Sequence, residues 1–146
     1  MNHTPIYITP DDHAKLRLLV TTALYSNASA ALKKLGEELD RAFVIAPAAI
    51  PPGVVAMESL VEFEDLDSGE IEAYTISFPE RANFEEKRIS ILAPIGTALI
   101  GCRVGDEVSW STPGGVRRLK VRSVLSAAEA EAPVSAGLSG VDFATR

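Results

Sequence analysis

The sequence predicts an α+β fold in which a short antiparallel N-terminal helical hairpin leads into an antiparallel β-sheet domain carrying one short helix. Apolar residues recur at spacings of three and four before residue 45, then alternate with polar ones after Gly53. Pro94, a Gly105-Asp106 turn and a Pro113-Gly114-Gly115 corner then mark a helix start, a turn and a strand corner in that order. At 146 residues the chain suits one compact core plus an appendage and is too short for two full-sized domains. The hairpin is expected over residues 1–48, the sheet domain over 53–126 and a mobile tail over 127–146.

The first helix should begin at Thr9-Pro10-Asp11-Asp12. This run supplies an N-cap hydroxyl, a proline at the first helical position and two carboxylates near the positive end of the helix dipole. The helix ends near Tyr25-Ser26-Asn27, and Leu16, Leu19 and Ala23 form its apolar seam. In the next segment Leu32, Leu35, Leu39 and Ala42 repeat the spacing. The YSNAS connection is only about five residues long, so two helices of roughly 15 residues should fold back antiparallel with their seams facing. Pro47 and Pro51-Pro52-Gly53 close this region.

Beyond Gly53, Val55, Met57, Val61 and Phe63 fall on one side of a strand, with Glu58, Glu62 and Glu64 on the other. Asp67-Ser68-Gly69 is a turn, Glu70 to Phe78 the next strand, and residues 79–88 a polar loop. Ile89 to Leu92 is a short strand, Pro94 to Gly101 a helix of about two turns, and Glu107 to Ser111 with Val116 to Val124 the last strand pair. Four or so strands are expected in all. Residues after Ser126 are rich in Ala, Ser, Gly and Glu with little periodicity, hence the expected tail.

Composition narrows the functional classes. A net charge of −6 and a pI near 4.9 disfavour autonomous binding to nucleic acid, which needs a concentrated basic surface. Cys102 is the single cysteine, which points to a buried apolar role and a reducing compartment, the bacterial cytoplasm. No membrane-spanning apolar run is present. His3 and His13 lack partners in metal-ligand spacing, and the glycines form no phosphate-binding fingerprint, so no catalytic residue, metal or cofactor is assigned and the chain is read as a non-enzyme. Arg118, Lys120 and Arg122 share one strand face beside Arg117. That stripe could dock an acidic partner, but cross-strand pairing with Glu58, Glu62 and Glu64 is the favoured reading. Trp110, with no aromatic neighbour in sequence, reads as core or rim.

Three ordered blocks then carry a family resemblance. Pro94-Ile95 with Ala98-Leu99-Ile100-Gly101, Val104-Gly105-Asp106-Glu107-Val108, and Pro113-Gly114-Gly115 resemble the SPIARALIG, VGDEV and PGG pattern of the GreA/GreB C-terminal domain. The chain has Leu92-Ala93 where Gre factors usually place Asp-Ser, and Gly96-Thr97 where they place Ala-Arg. The APIG and CRVGDEVSW wording, with ELDRA at Glu38 to Ala42, is more similar to the Rnk group, the short relatives called regulators of nucleoside diphosphate kinase.

The resemblance implies an FKBP-like sheet domain behind a short coiled coil, docking on RNA polymerase near its secondary channel in competition with Gre factors. It places the polymerase contact at Leu92, Ala93, Pro94, Ile95 and Thr97. Gre factors hold catalytic magnesium with an acidic coiled-coil tip and stimulate cleavage of backtracked RNA. Here the tip, Tyr25, Ser26 and Asn27 followed by Ala28-Ser29, has no carboxylate to hold a hard cation. The expectation is a transcription regulator that occupies the Gre site without stimulating cleavage, binding neither specific nucleic acid sequence nor membrane. The alternatives are direct regulation of nucleoside diphosphate kinase or another enzyme and, less favoured, prolyl isomerisation, which would need a deep aromatic-lined pocket.

Overall fold

The computed structural model describes residues 5–26, 29–127 and 129, without the side chains of 110–112. Helix α1 spans Pro10–Ser26, and its opening turn is capped where the Asp12 amide donates to Thr9 Oγ1 at 3.3 Å. Helix α2 spans Ala30–Asp40 and is capped by Ser29, whose hydroxyl accepts from the Leu32 amide at 3.1 Å. At 11 residues α2 is shorter than expected. The chain leaves it at Arg41 because a short strand β2 (Phe43–Val44) pairs in parallel with β1 (Tyr7–Ile8), which the sequence reading did not contain. The Phe43 amide donates to the Ile6 carbonyl at 2.8 Å and the Ile45 amide to Ile8 at 2.9 Å.

The two helices pack along one another in opposite directions. His13 Nε2 donates to the Leu39 carbonyl at 3.0 Å, while farther along α1 Arg17 reaches the Gly36 carbonyl at 3.4 Å and pairs with Asp40. The buried seam is Leu16 and Val20 from α1 against Leu32, Leu35 and Leu39 from α2. Val20 takes the place expected of Leu19, which is only partly buried, because a four-residue step from Leu16 faces Gly36.

Five strands follow in the order β5-β4-β3-β7-β6, namely β3 Leu60–Asp65, β4 Ile71–Ser77, β5 Arg88–Ser90, β6 Glu107–Thr112 and β7 Gly115–Leu125. The sheet is mixed rather than wholly antiparallel: β5 runs parallel to β4. Two single 3₁₀ turns, Pro79–Arg81 and Phe84–Glu86, carry residues 78–87 back along the sheet, so β5 begins at the same end as β4. Strand β3 starts later than the alternation suggested. Val54 to Met57 are buried outside any strand, and Glu58 takes a left-handed conformation, φ 64°, which removes it from the row of Glu62 and Glu64. A register shift opposite Glu62 and Phe63 lets both Val121 and Val124 point into the core.

Helix α3, Pro94–Leu99, lies against β5, β6 and α2. One apolar core therefore runs from Leu16, Val20, Leu35 and Leu39 of the helix pair, past Leu99, to Val61, Ile76, Ile91 and Val121 of the sheet region. Lys15 fastens the join, lying 4.2 Å above the Phe78 ring and pairing with Glu80. Cys102 is buried in this core, which pushes its thiol up to about 12. Of the expected tail, only Ala127 and Glu129 are described; Ser126 and Glu129 cap each other reciprocally, and the other tail residues lie outside the described set.

Two stability tests follow from these contacts. A Cβ on Gly96 would run into the Ser90 carbonyl oxygen and meet the Ile91 Cα at 3.0 Å. Gly96→Ala should therefore destabilise the fold by about 1–3 kcal/mol, read as a lower urea midpoint; an unchanged midpoint would show that α3 shifts freely. Buried Asp65 accepts from Arg117 and from the amides of Asp67 and Ser68 at 2.8 and 3.1 Å, and these bonds hold its carboxyl below the usual aspartate value of 3.8. Its contribution is present above that ordinary value and is lost as pH falls through the lowered one. Asp65→Asn should lower the urea midpoint at pH 7 and flatten its decline below about pH 4; parallel pH profiles for the two proteins would count against this.

Candidate functional site

The residues around α3 form one contiguous feature because β5 turns sharply into it. Ser90 Oγ accepts from the Leu92 amide at 3.0 Å and the Ser90 carbonyl accepts from Ala93 at 3.0 Å. Ala93, extended at φ −73° and ψ 152°, then hands the chain to Pro94 at the first helical position. Thr97 Oγ1 donates to the Pro94 carbonyl at 2.9 Å. The far end is anchored by a Gly101 amide bond to the Val55 carbonyl at 3.0 Å and a Val55 amide bond to Cys102 at 2.8 Å.

Within that frame, Pro94 is exposed while Leu92, Ala93, Ile95 and Thr97 are half-buried. The geometry thus brings all five expected contact residues together. Leu92, Ala93 and Ile95 also pack on the core, so each supports the fold while presenting part of its surface. The result is a small uncharged face on a rigid turn, suited to apolar protein contact. Gly96 and Leu99 are buried beneath it.

The tip of the helix pair is a separate place. Tyr25 is exposed, Ser26 Oγ donates to the Ala23 carbonyl at 3.3 Å, and Asn27 lies outside the described residues. Along the sequence the nearest carboxylates are Asp12 on one side and Glu37 on the other. Among the described residues no group of His, Cys, Asp or Glu is arranged to hold a metal ion, and no helix is long and apolar enough to cross a membrane.

The basic stripe of β7 is largely matched within the chain. Arg122 pairs with Glu64 at 2.8 Å, Arg118 with Asp67 at 2.9 Å and Arg117 with Asp65. Pairing with Asp67 raises the Arg118 guanidinium further. The expected partner Glu58 is elsewhere, bonded to Arg88 at 2.8 Å in a group that includes Ser77. Sequence reasoning missed Asp65, although an Asp two residues before Asp67-Ser68-Gly69 is a side-chain turn signal. It also missed Lys15, whose partner Glu80 is far away in sequence and left no local trace.

Comparisons with known proteins agree with this architecture. Residues 50–126 match the family model for the C-terminal domain of transcription elongation factors GreA/GreB, and residues 4–45 match the Rnk N-terminus. A regulator of nucleoside diphosphate kinase from Escherichia coli (strain K12) is 36% identical over 116 residues, covering 80% of this chain and 85% of that protein. Transcription elongation factor GreA of Methylococcus capsulatus is 37% identical over 94 residues, 64% of this chain and 60% of the relative. A solved GreA/GreB factor from Nitrosomonas europaea matches with a TM-score of 0.70 and 37% identity, covering 84% of this chain and 98% of its own. The turn-seated α3 and the strands around it are thus a GreA/GreB-type fold behind an Rnk-type helix pair, and the chain belongs to the GreA/GreB transcription elongation factor family with an Rnk N-terminus.

Proposed function

We propose that this protein is a bacterial cytoplasmic regulator that binds RNA polymerase near its secondary channel and occupies the Gre-factor site without stimulating transcript cleavage. In this reading residues 1–48 form a short helical hairpin, a stub of coiled coil, and residues 53–126 an FKBP-like docking domain. The face at Leu92, Ala93, Pro94, Ile95 and Thr97 meets the polymerase, and the hairpin tip that begins at Tyr25 and Ser26 enters the channel. The carrying observation is the tip: between Asp12 and Glu37 the chain has no carboxylate. A Mg²⁺ ion is held by oxygen ligands, chiefly carboxylates, so such a tip lacks the groups that could share a catalytic metal. At ~1.5 Å per residue, α1 also reaches only about 25 Å.

A second reading, direct regulation of nucleoside diphosphate kinase, is favoured by the name of the Escherichia coli relative. That name fits an indirect effect through transcription equally well, and a pull-down separates the two by recovering polymerase subunits or a kinase. Prolyl isomerisation is a minor third reading, tested by a proline-peptide isomerisation assay.

The polymerase reading generates two expectations. Purified protein should bind core RNA polymerase, be displaced by a Gre factor, and leave backtracked complexes uncleaved in Mg²⁺; cleavage above background would sink the occupancy mechanism. Pro94→Arg puts a charge on an exposed, uncharged face and should weaken polymerase binding about tenfold, ~1.4 kcal/mol, with the circular dichroism spectrum intact. Unchanged affinity would move the contact elsewhere.

A further inference from the structure

The connection between β4 and β5 displays an aromatic ring that the core does not use. Phe84 is 75% exposed, and its ring lies tilted against Tyr74 with the centroids 5.7 Å apart. Tyr74 is stacked in turn on Phe63 at 5.9 Å, and both of these are buried. The Lys87 ammonium lies 5.1 Å from the centre of the same Tyr74 ring. Phe84 thus stands on an aromatic base while most of its own surface forgoes burial. Its position is fixed from the backbone. The Asn83 side chain accepts from the Glu85 and Glu86 amides at 2.9 and 3.4 Å, and the Asn83 carbonyl accepts from the Arg88 amide at 3.0 Å.

The charge around the ring is mostly of one sign. Glu85 and Glu86 follow Phe84 in the same turn, and Glu72 precedes Tyr74 by two residues on the same face of β4; all three are exposed. Among the described residues none of these three carboxylates forms an ion pair, whereas the nearby Arg81 and Arg88 are engaged with Glu58 at 3.9 and 2.8 Å. Against the three stands Lys87, over Tyr74.

We propose that Phe84, with Glu72, Glu85 and Glu86 around it, is a second docking surface, which takes a protein face carrying an apolar socket bordered by lysine or arginine side chains. Charge selects that occupant. An unmatched acidic rim repels nucleic-acid phosphate and anionic lipid, and a second copy would bring the same rim on a chain of net charge −6. A fixed aromatic anchor inside a charged rim is the arrangement in which one side chain dominates binding.

For the identity of the partner the inference rests on the polymerase reading, and the placement of Phe84 relative to Pro94 suits one partner. Tyr74 shares its face of β4 with buried Ile76, and Leu99 of α3 lies in the same core, so Phe84 and α3 are on one side of the sheet, flanking β5. The ten residues from Phe84 to Pro94 span at most about 33 Å when fully extended, and the turns between them shorten that. One partner's half of a standard interface, ~800 Å², is a disc about 32 Å across, wide enough to hold both.

The test measures binding of the full chain to core RNA polymerase, with a Gre factor as competitor, from about 50 to about 500 mM salt. Phe84→Ala should weaken binding at least about tenfold, and Phe84→Trp should retain it. The triple variant Glu72→Gln, Glu85→Gln, Glu86→Gln should bind more weakly at low salt and lose part of the salt dependence of the parent chain, a readout that a merely structural role would not move. Its three positions are exposed, so it decides the question even if Phe84→Ala fails to fold. Variants that bind as the parent chain does, with the same salt dependence, overturn the proposal and leave the polymerase reading standing. A parent chain that does not bind polymerase overturns both. A dimer in sedimentation velocity that Phe84→Ala dissociates gives the surface to a second copy and overturns the proposal as well.

Discussion

The close seat of Gly96 against Ser90 and Ile91 is the constraint on which the rest of the structure depends. Because no side chain stands between them, α3 lies flat at the end of β5, where Leu99 is fully buried and α2 can pack on the helix from the other side. Without that approach the helix pair and the sheet would have separate small cores, each weak for its length. With it, Leu35 and Leu39 share one core with Ile91 and Val121, and the orientation of the helices relative to the sheet is set by packing. The same turn displays Pro94. The candidate docking face is thus a by-product of the element that joins the molecule together, and its rigidity comes from the core beneath it.

Electrostatics plays a different part, holding elements in place while leaving little of the sheet's basic charge free. Arg117, Arg118 and Arg122 each meet a carboxylate on β3 or the turn after it, and Lys15 reaches from α1 to Glu80. Most of these pairs are exposed enough that water screens them and each adds little to stability. Their effect on recognition is larger than their effect on stability. A basic strand already matched within its own chain is poorly suited to attract phosphate or an acidic partner.

What could be read from the sequence was what is local. The Thr9-Pro10 start of α1, Pro94 at the start of α3, a glycine at Gly105 with φ 95° and the Pro113-Gly114-Gly115 corner each act within a few residues, and the structure has α1, α3, β6 and β7 where those signals put them. The five docking candidates came from a motif, and a sharp turn brought them together. What could not be read depends on distant partners. The β1–β2 pairing joins two-residue segments across the whole helix pair, the parallel course of β5 is set by the path of a loop, and Lys15 finds Glu80 through the tertiary fold. Glu58 misled the alternation because a left-handed residue breaks the two-residue period without any glycine to announce it.

The helix pair bears most directly on how function is divided in such a protein. In the polymerase reading the sheet domain and α3 supply the docking face, whatever the helices carry. In this chain residues 18–32 are uncharged, Lys33 and Lys34 are the charges of α2 nearest the tip, and Lys15, Arg17, Glu38, Asp40 and Arg41 form their contacts farther toward the base. In the polymerase reading a tip without carboxylates lacks the usual ligands of a hard cation while still offering surface for contact. That reading then separates occupancy of a site from chemistry at it by the charge along the helices, with no change in the sheet domain.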